Sequence, residues 1–361
     1  MPVESARYCH GSSGPLTPHD RDPHGVRRLY YRPEGAAAPR LRELARAGEP
    51  GLDPLGVGFA FGEIDGTDRA WIQGIRRVPR GHRLSGAPGE WQIEPAPPPP
   101  EGGFGGLERR LLAALDGVVG RGKRVALALS GGLDSALLLA LLAASFRSAM
   151  PAIYVLAPRL PGDPAYDGSA AAASLARSFD LKAIVLEAAE QDFVLGLPAC
   201  VAQAETPLFN AHPVARHLLF EQLASDEIDV VITGDGADQL FAGAPSESYL
   251  PIVGALAEAS GVGLCCPFLD DGVIALAARS APDPRKTALR EAARGKLPDA
   301  LVDAPRKARL APAIDLARYE DLPRFERLAA RLGRPLRLES ARDRTAWTTL
   351  SLACEAMGLA L

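Results

Sequence analysis

The sequence predicts an α/β fold: a doubly wound parallel sheet, followed by a helical C-terminal part and preceded by a small α+β segment. Three observations predict it. From Leu107 to Gly236, short apolar runs alternate with longer helix-like stretches. The apolar runs (Val125–Leu129, Ala152–Ala157 and the one around Ile184) are nearly continuous, as in strands covered on both faces. Two of the runs end in glycine-rich turns bearing hydroxyls and carboxylates, at Ser130 and at Gly234, and such sheets bind ligands at the carboxyl ends of their strands.

Each element follows from the local pattern. Residues 1–27 are rich in Gly, Ser, Pro, His and Asp without periodicity and read as a flexible tail in which His10, His19 and His24 are solvated. Residues 28–94 change to short elements with many turns: RRLYYRPEG, a helix-like PRLRELARAGE, and the phrase WIQGIRRVPRGHRL. The stretch 95–106, PAPPPPEGGFGG, has linker composition, although a surface loop inside one domain reads almost as well. From residue 107 the alternation begins: helix LERRLLAALDGVV, strand RVALALS, helix Ala136–Phe146, strand Ala152–Ala157, helix Gly168–Phe179, strand LKAIVLE, helices near 191–203 and 213–224, and strand Asp229–Gly236, which closes the set. The remainder is mostly helical.

Composition narrows the function classes. A 47% apolar content allows a sizeable core, and a net charge of −4 argues against a general nucleic-acid or membrane-surface binder. The first residues have no apolar signal region, and no run of about 18 apolar residues occurs, so the expectation is a soluble, cytoplasmic protein with no membrane partner. Five scattered cysteines, Cys9, Cys200, Cys265, Cys266 and Cys354, suit reduced thiols rather than a disulfide framework or a zinc site.

The chemistry is concentrated in two turns. Ser130-Gly131-Gly132-Leu133-Asp134-Ser135 lies between a strand and a helix. A helix N-terminus offers unpaired N–H groups and the positive end of the helix dipole, and glycine lets the backbone approach an anion. The turn reads as a phosphate cradle without the lysine of the GxxxxGK[ST] loop. In its place stand two hydroxyls that can donate to phosphate oxygens and a carboxylate, Asp134, that can hold Mg²⁺. The second turn, Thr233-Gly234-Asp235-Gly236-Ala237-Asp238, adds two carboxylates at the end of another buried strand. On a parallel sheet both turns face the same way. An ordinary solvated Ser/Gly or Asp/Gly turn explains either alone, but less well explains the pair.

The first turn resembles the SGGxDS pyrophosphate loop of the ATP pyrophosphatases, which cut ATP between the α- and β-phosphates. The second, continuing Gln239-Leu240-Phe241-Ala242-Gly243, resembles the G-E-G-A-D-E-L-F-G-G stretch of asparagine synthetases and their relatives, the β-lactam synthetases. Further stretches agree: CPFLDD resembles the family's PFLD, and Pro284–Pro312 resembles its K..LR and R.K..f..P segments. The resemblance covers 107–315 well and 28–94 weakly, the latter looking like the tail of an amidotransferase domain. It implies a fold of the adenine nucleotide alpha hydrolase type, with ATP and Mg²⁺ as cofactors. It implies nucleotide contacts from Leu129, Ser130, Gly131, Gly132, Asp134, Ser135, Val155 and Gly234, and metal contacts from Asp134 and Asp238. Lys307 aligns with the family lysine that balances negative charge, and Asp235 with the residue that orients or deprotonates the nucleophile. Glu205 and Asn210, in AETPLFNAHP, match a family loop and are candidate pocket-lining residues. Asp167 reads as a helix cap.

Three departures shape the functional reading. The front of the amidotransferase domain, with its leading nucleophilic cysteine, has no counterpart, since position 2 is Pro2, so glutamine hydrolysis is not expected. Only Ala244–Cys266 separates the second turn from PFLD, a shorter stretch than in the family. Gly263-Leu264-Cys265-Cys266 replaces a charged pair with apolar residues, which makes aspartate a poor guess for the substrate. The implied activity is an ATP-dependent, AMP-forming amide-bond synthetase, a carbon–nitrogen ligase that adenylates a carboxylate and couples it to an internal amine (a lactam or macrolactam) or an external one. A partner protein could supply the missing domain or present the substrate. Alternatives are another pyrophosphate-loop enzyme, disfavoured by the acidic balance and lack of a CxxC pair, and a non-catalytic scaffold subunit, which would fail to bind ATP.

Overall fold

The computed structural model describes residues 19–45, 51–63, 68–96, 105–162, 166–245, 249–305 and 313–359. Its centre is a five-stranded parallel sheet of β1 (Val125–Ala128), β2 (Ala152–Arg159), β3 (Ala183–Ala189), β4 (Val230–Ile232) and β5 (Gly263–Cys265), in the order β5-β4-β1-β2-β3. The register pairs Leu127 with Ile153 on one side and with Ile232 on the other. The chain winds outward from β1 to β3, then returns to place β4 on the far side of β1. The crevice between β1 and β4 is therefore the switch point of the sheet, where side chains from two loops can meet over a ligand.

Side-chain alternation divides the core in two, because successive residues of a strand point to opposite faces. Val125, Leu127, Ile153, Val155, Val230, Ile232 and Cys265 pack against α1 (Leu107–Asp116), α2 (Leu133–Ser145), α3 (Ser169–Ser178) and a later helix, Thr287–Ala293. Ala126, Tyr154, Val231 and Leu264 face the other layer, α4 (Glu190–Ala204), α5 (His212–Ser225), α6 (Leu250–Ser260), α7 (Leu322–Leu332) and α8 (Ala341–Ala356). Helix α2 is apolar almost all round and is buried to match, which is the expected relation between pattern and environment. The α/β architecture expected from the alternation is thus present.

The last strand, β5, departs from the expected set. It is three residues long, opens on Gly263 shortly after Gly261, and pairs in parallel with β4. A strand this short offers no period to read, and its identity comes from its partner. The strand expected over Asp229–Gly236 ends at Ile232, and the rest of that stretch is the second turn.

Residues 19–27 also differ from the expected tail. Arg21 and Asp22 are buried. The Asp22 carboxylate accepts backbone N–H bonds from His24, Val26 and Arg27, while Arg21 donates to the Val78 and Arg27 carbonyls. Such local Asp-to-backbone bonds fold a segment that has no apolar periodicity. His19 stands edge-on to Trp91; His10 lies outside the described residues.

In the N-terminal segment, Tyr30–Tyr31 pairs antiparallel with Ala37–Ala38 and with Arg76–Arg77. Its apolar residues Val26, Leu41, Val57, Trp71 and Ile72 share one continuous core with α4, α5 and α8. The fastening point is Glu205, just past α4, in a left-handed conformation (φ 54°) and 2% exposed. Its carboxylate accepts from the Leu41 N–H at 2.6 Å and pairs with Arg42 and, at 3.6 Å, with the buried Arg28. The Trp71 indole donates to the Glu205 carbonyl at 2.9 Å. Glu205 was a candidate for lining the substrate pocket; it instead faces the N-terminal segment and anchors the loop that carries Phe209 and Asn210. Breaking a buried charged cluster from one side strands the other charges, so Glu205→Gln is expected to lower unfolding free energy by about 3 kcal/mol in urea titrations. A loss below about 1 kcal/mol would show that Arg28 and Arg42 find other partners.

Candidate active site

Both glycine-rich turns emerge at the carboxyl end of the sheet, beside the switch point. In the first, Gly131 is left-handed (φ 71°), and a Cβ there would lie 2.6 Å from the Gly168 carbonyl, so only glycine lets the turn reach the start of α3. The turn holds itself with its own hydroxyls. Ser135 Oγ accepts from the Ser130 N–H at 3.1 Å and lies 3.0 Å from Ser130 Oγ. Ser135 is buried, and its hydroxyl shapes the loop from within rather than lining the cavity.

Gly234 shows how closely the turns meet. A Cβ at this position would stand 3.1 Å from Asp134 Cβ and from the Ser135 nitrogen. The second turn is pressed against the first, and the missing side chain permits it. Beyond Gly234, Asp238 shares a cation with Asp134, while Asp235 pairs with Arg216.

The two carboxylates expected to hold metal converge on a cation supplied by the chain. Lys286 Nζ donates to Asp134 Oδ1 and Oδ2 at 2.8 and 2.7 Å and pairs with Asp238 Oδ1 at 2.7 Å. Lys286 is 8% exposed and adopts a left-handed backbone (φ 53°), which costs a residue with a Cβ about 1–2 kcal/mol. The charge is held at that cost against two carboxylates from different turns, beside the cavity. Lys286 was not singled out from the sequence, although the K..LR spacing in Pro284–Pro312 contained it. Lys307, the lysine expected to balance charge here, lies outside the described residues, as do Arg306 and Arg309. The chain leading to it, through Ala304 and Pro305, lines the cavity.

This cavity, about 920 Å³, extends from the first turn to the second and on to α5 and Tyr249. Leu129, Ser130, Gly131, Gly132, Asp134, Gly234, Asp235 and Asp238 line it. Val155, expected to contact nucleotide, does not. It points into the opposite core layer and is fully buried, and its strand neighbours Tyr154 and Leu156 face the cavity instead. The one-residue alternation of a strand accounts for the correction. Asn210 is at the rim, its side chain capping the His212 N–H. Asp167, read as the cap of α3, stands one residue before the actual N-cap, Gly168; it accepts from the Ser169 N–H at 2.8 Å and pairs with Arg159.

Asp235 forms a buried ion pair with Arg216, Nη2 to Oδ1 at 2.9 Å, and Arg216 Nε donates to the Tyr249 hydroxyl at 2.9 Å. Burial works against the guanidinium charge, but Asp235 and Tyr249 outweigh it and hold the Arg216 pKa above its ordinary value. Burial raises the Tyr249 hydroxyl too. Tyr154 is pushed up to about 12 by burial and by its bond to Asp226, so its hydroxyl stays neutral. Neither Arg216 nor Tyr249 belongs to a sequence motif; what brings them to Asp235 is the packing of α5 on α6.

Among the described residues, no group of three or more His, Cys, Asp and Glu side chains gathers as a metal site. A pair of carboxylates nevertheless suits Mg²⁺, which is commonly held by one or two carboxylates together with substrate phosphates. The four described cysteines, Cys200, Cys265, Cys266 and Cys354, are buried thiols, and burial raises those of Cys200 and Cys354. No described helix is long and apolar enough to cross a membrane.

Residues 106–255 match the family model for asparagine synthase. No curated protein matches the chain. Among solved structures, the NMN synthetase of Francisella tularensis aligns at 15% identity over 70% of this chain and 95% of its own, with a TM-score of 0.36. The U34-tRNA thiolase NcsA of Methanococcus maripaludis, solved with its [4Fe-4S] cluster, aligns at 17% identity over 37% of this chain, with a TM-score of 0.29. The aligned region spans 46% of the thiolase chain, less than half its length.

Proposed function

We propose that this chain, whose residues 106–255 form an asparagine synthase domain of the PP-loop ATP pyrophosphatase class, is an AMP-forming carbon–nitrogen ligase. The domain supports ATP-using adenylation chemistry in general; the amide-forming step is the further part of the reading. One observation carries it: two carboxylates from two strand-end turns converge on a single cation beside a hydroxyl-bearing glycine loop.

In this reading the Ser130–Ser135 loop presents N–H groups and the Ser130 hydroxyl to the phosphates. Asp134 and Asp238 would hold Mg²⁺, which supplies charge neutralisation to the polyphosphate when bound. Lys286 adds a fixed cation where the pyrophosphate departs. A substrate carboxylate oxygen bonds to the α-phosphorus and the bond to the β-phosphate oxygen breaks, releasing pyrophosphate. An amine nitrogen then bonds to the acyl carbon and AMP leaves. Neither step needs a protein nucleophile; holding the reactants in line and stabilising charge suffice. Lys307 is proposed to balance charge in the second step, and the protein to use an amine supplied as such rather than one released from glutamine.

Incubation of the purified protein with Mg·ATP, a panel of carboxylic acids and an amine should yield AMP and pyrophosphate in equal amounts, read by phosphorus NMR. Formation of ADP and phosphate would contradict the reading.

A further inference from the structure

A second cavity, of about 50 Å³, lies where the N-terminal segment meets the asparagine synthase domain. It shares no lining residue with the candidate active site. Four of the residues lining it are arginines, Arg21, Arg28, Arg69 and Arg77, and none of those described is an aspartate or a glutamate. Thr206 and Pro251 close it from the domain side. A concave site lined by charge of one sign concentrates ions of the other.

Arg28 carries an incompletely matched charge. It is 6% exposed, and its Nη1 donates to the Ala204 carbonyl at 3.0 Å. Its carboxylate contacts are long, 3.6 Å to Glu205 and 3.8 Å to Glu258. The same two carboxylates also serve Arg42 and Arg40, so three guanidinium groups share two negative charges. The Arg28 Nε is buried and has no hydrogen-bond partner. A buried donor without an acceptor is costly, and a ligand oxygen completes it. Arg21, also buried, donates to the neutral carbonyls of Val78, Arg27 and Gly25.

The ligand class follows from size and geometry. The cavity is larger than a single water needs and suits one small oxyanion. A carboxylate brings one charge and two oxygens in a single plane. Phosphate brings up to two charges and oxygens in several directions, which suits arginines arriving from separate stretches of chain.

We propose that this cavity is a binding site for inorganic phosphate, with Arg28 Nε donating to a phosphate oxygen, and that the bound anion fastens the N-terminal segment to the domain. The site is independent of the ligase reading.

The test is calorimetric titration of the full chain with inorganic phosphate at fixed ionic strength, with Mg²⁺ and a non-hydrolysable ATP analogue saturating the active site. Phosphate is expected to bind at least about tenfold more tightly than acetate. Phosphate at ten times its dissociation constant should raise the unfolding temperature by about 2 °C. Arg28→Gln should weaken phosphate by at least about tenfold while the nucleotide analogue changes by no more than about twofold. Because Arg28→Gln also strands Glu205 and Glu258, Thr206→Asp serves as a second variant. It supplies the carboxylate that the cavity lacks, so it should abolish phosphate binding and the phosphate-dependent rise, without lowering the unfolding temperature in phosphate-free buffer. No saturable binding of phosphate by the parent, acetate bound as tightly as phosphate, or phosphate binding that survives both variants would overturn the proposal. Its outcome is separable from that of the ligase reading, because failure to form AMP leaves phosphate binding here unchanged.

Discussion

Replacing Asp134 and Asp238 together by asparagine is expected to lower acid-dependent pyrophosphate release by about a thousandfold. The two side chains come from turns a hundred residues apart and meet on one cation, 2.7–2.8 Å from Lys286 Nζ. Asparagine keeps the shape and one carbonyl oxygen but removes the charge that a divalent cation needs. The protein should remain folded, because Asp134 and Asp238 are 22% and 44% exposed and Lys286 can regain water. The expected stability loss is about 1–2 kcal/mol, less than for a fully buried pair. Both quantities are measurable on one preparation, by a pyrophosphate assay and by urea unfolding. Activity within about tenfold of the parent would remove these carboxylates from the chemistry.

Lys286 gives the second large effect, and the sign of its response to metal distinguishes its role. Lys286→Ala leaves Asp134 and Asp238 facing each other without a countercharge. Like charges at such range repel, so the folded state is destabilised, and added Mg²⁺ restores stability by binding the folded form. The variant's unfolding temperature should rise with millimolar Mg²⁺, whereas that of the parent, whose carboxylates are already neutralised, should move little. Pyrophosphate release should fall by about a hundredfold. Lys286→Gly adds a control, since glycine accepts the left-handed backbone and should be more stable than Lys286→Ala by about 1 kcal/mol, with the same loss of activity. If the two variants are equally stable and neither responds to Mg²⁺, Lys286 does not hold the two carboxylates together.

Much of this site was legible in the sequence because its information is local. A strand, a glycine turn and a helix stand close together in the chain, and the structure adds why glycine is needed at Gly131 and Gly234: a left-handed backbone in one, a close approach to the first turn in the other. The doubly wound sheet was legible because each long strand is an uninterrupted apolar run. What escaped depends on distant partners. β5 is a strand only because Val230–Ile232 lies beside it. Val155 sits on the wrong side of an alternation whose phase cannot be set without knowing which layer lies above. Glu205 matches a pocket loop in its neighbours but faces the other way, toward Arg28 and Arg42 far back in the chain. Lys286 and Arg216 reach the site through packing of helices and a strained turn, and a charged residue in a helical stretch ordinarily reads as solvated.

The central claim is that the two turns meet across one nucleotide so that a carboxylate is adenylated between them. The most direct measurement is isotope exchange between labelled pyrophosphate and ATP, with a single acid, Mg²⁺ and no amine. The account predicts that label enters ATP only when the acid is present and that Asp134→Asn abolishes it. Exchange that proceeds without any acid, or an enzyme that turns ATP into ADP while exchanging none, would contradict it.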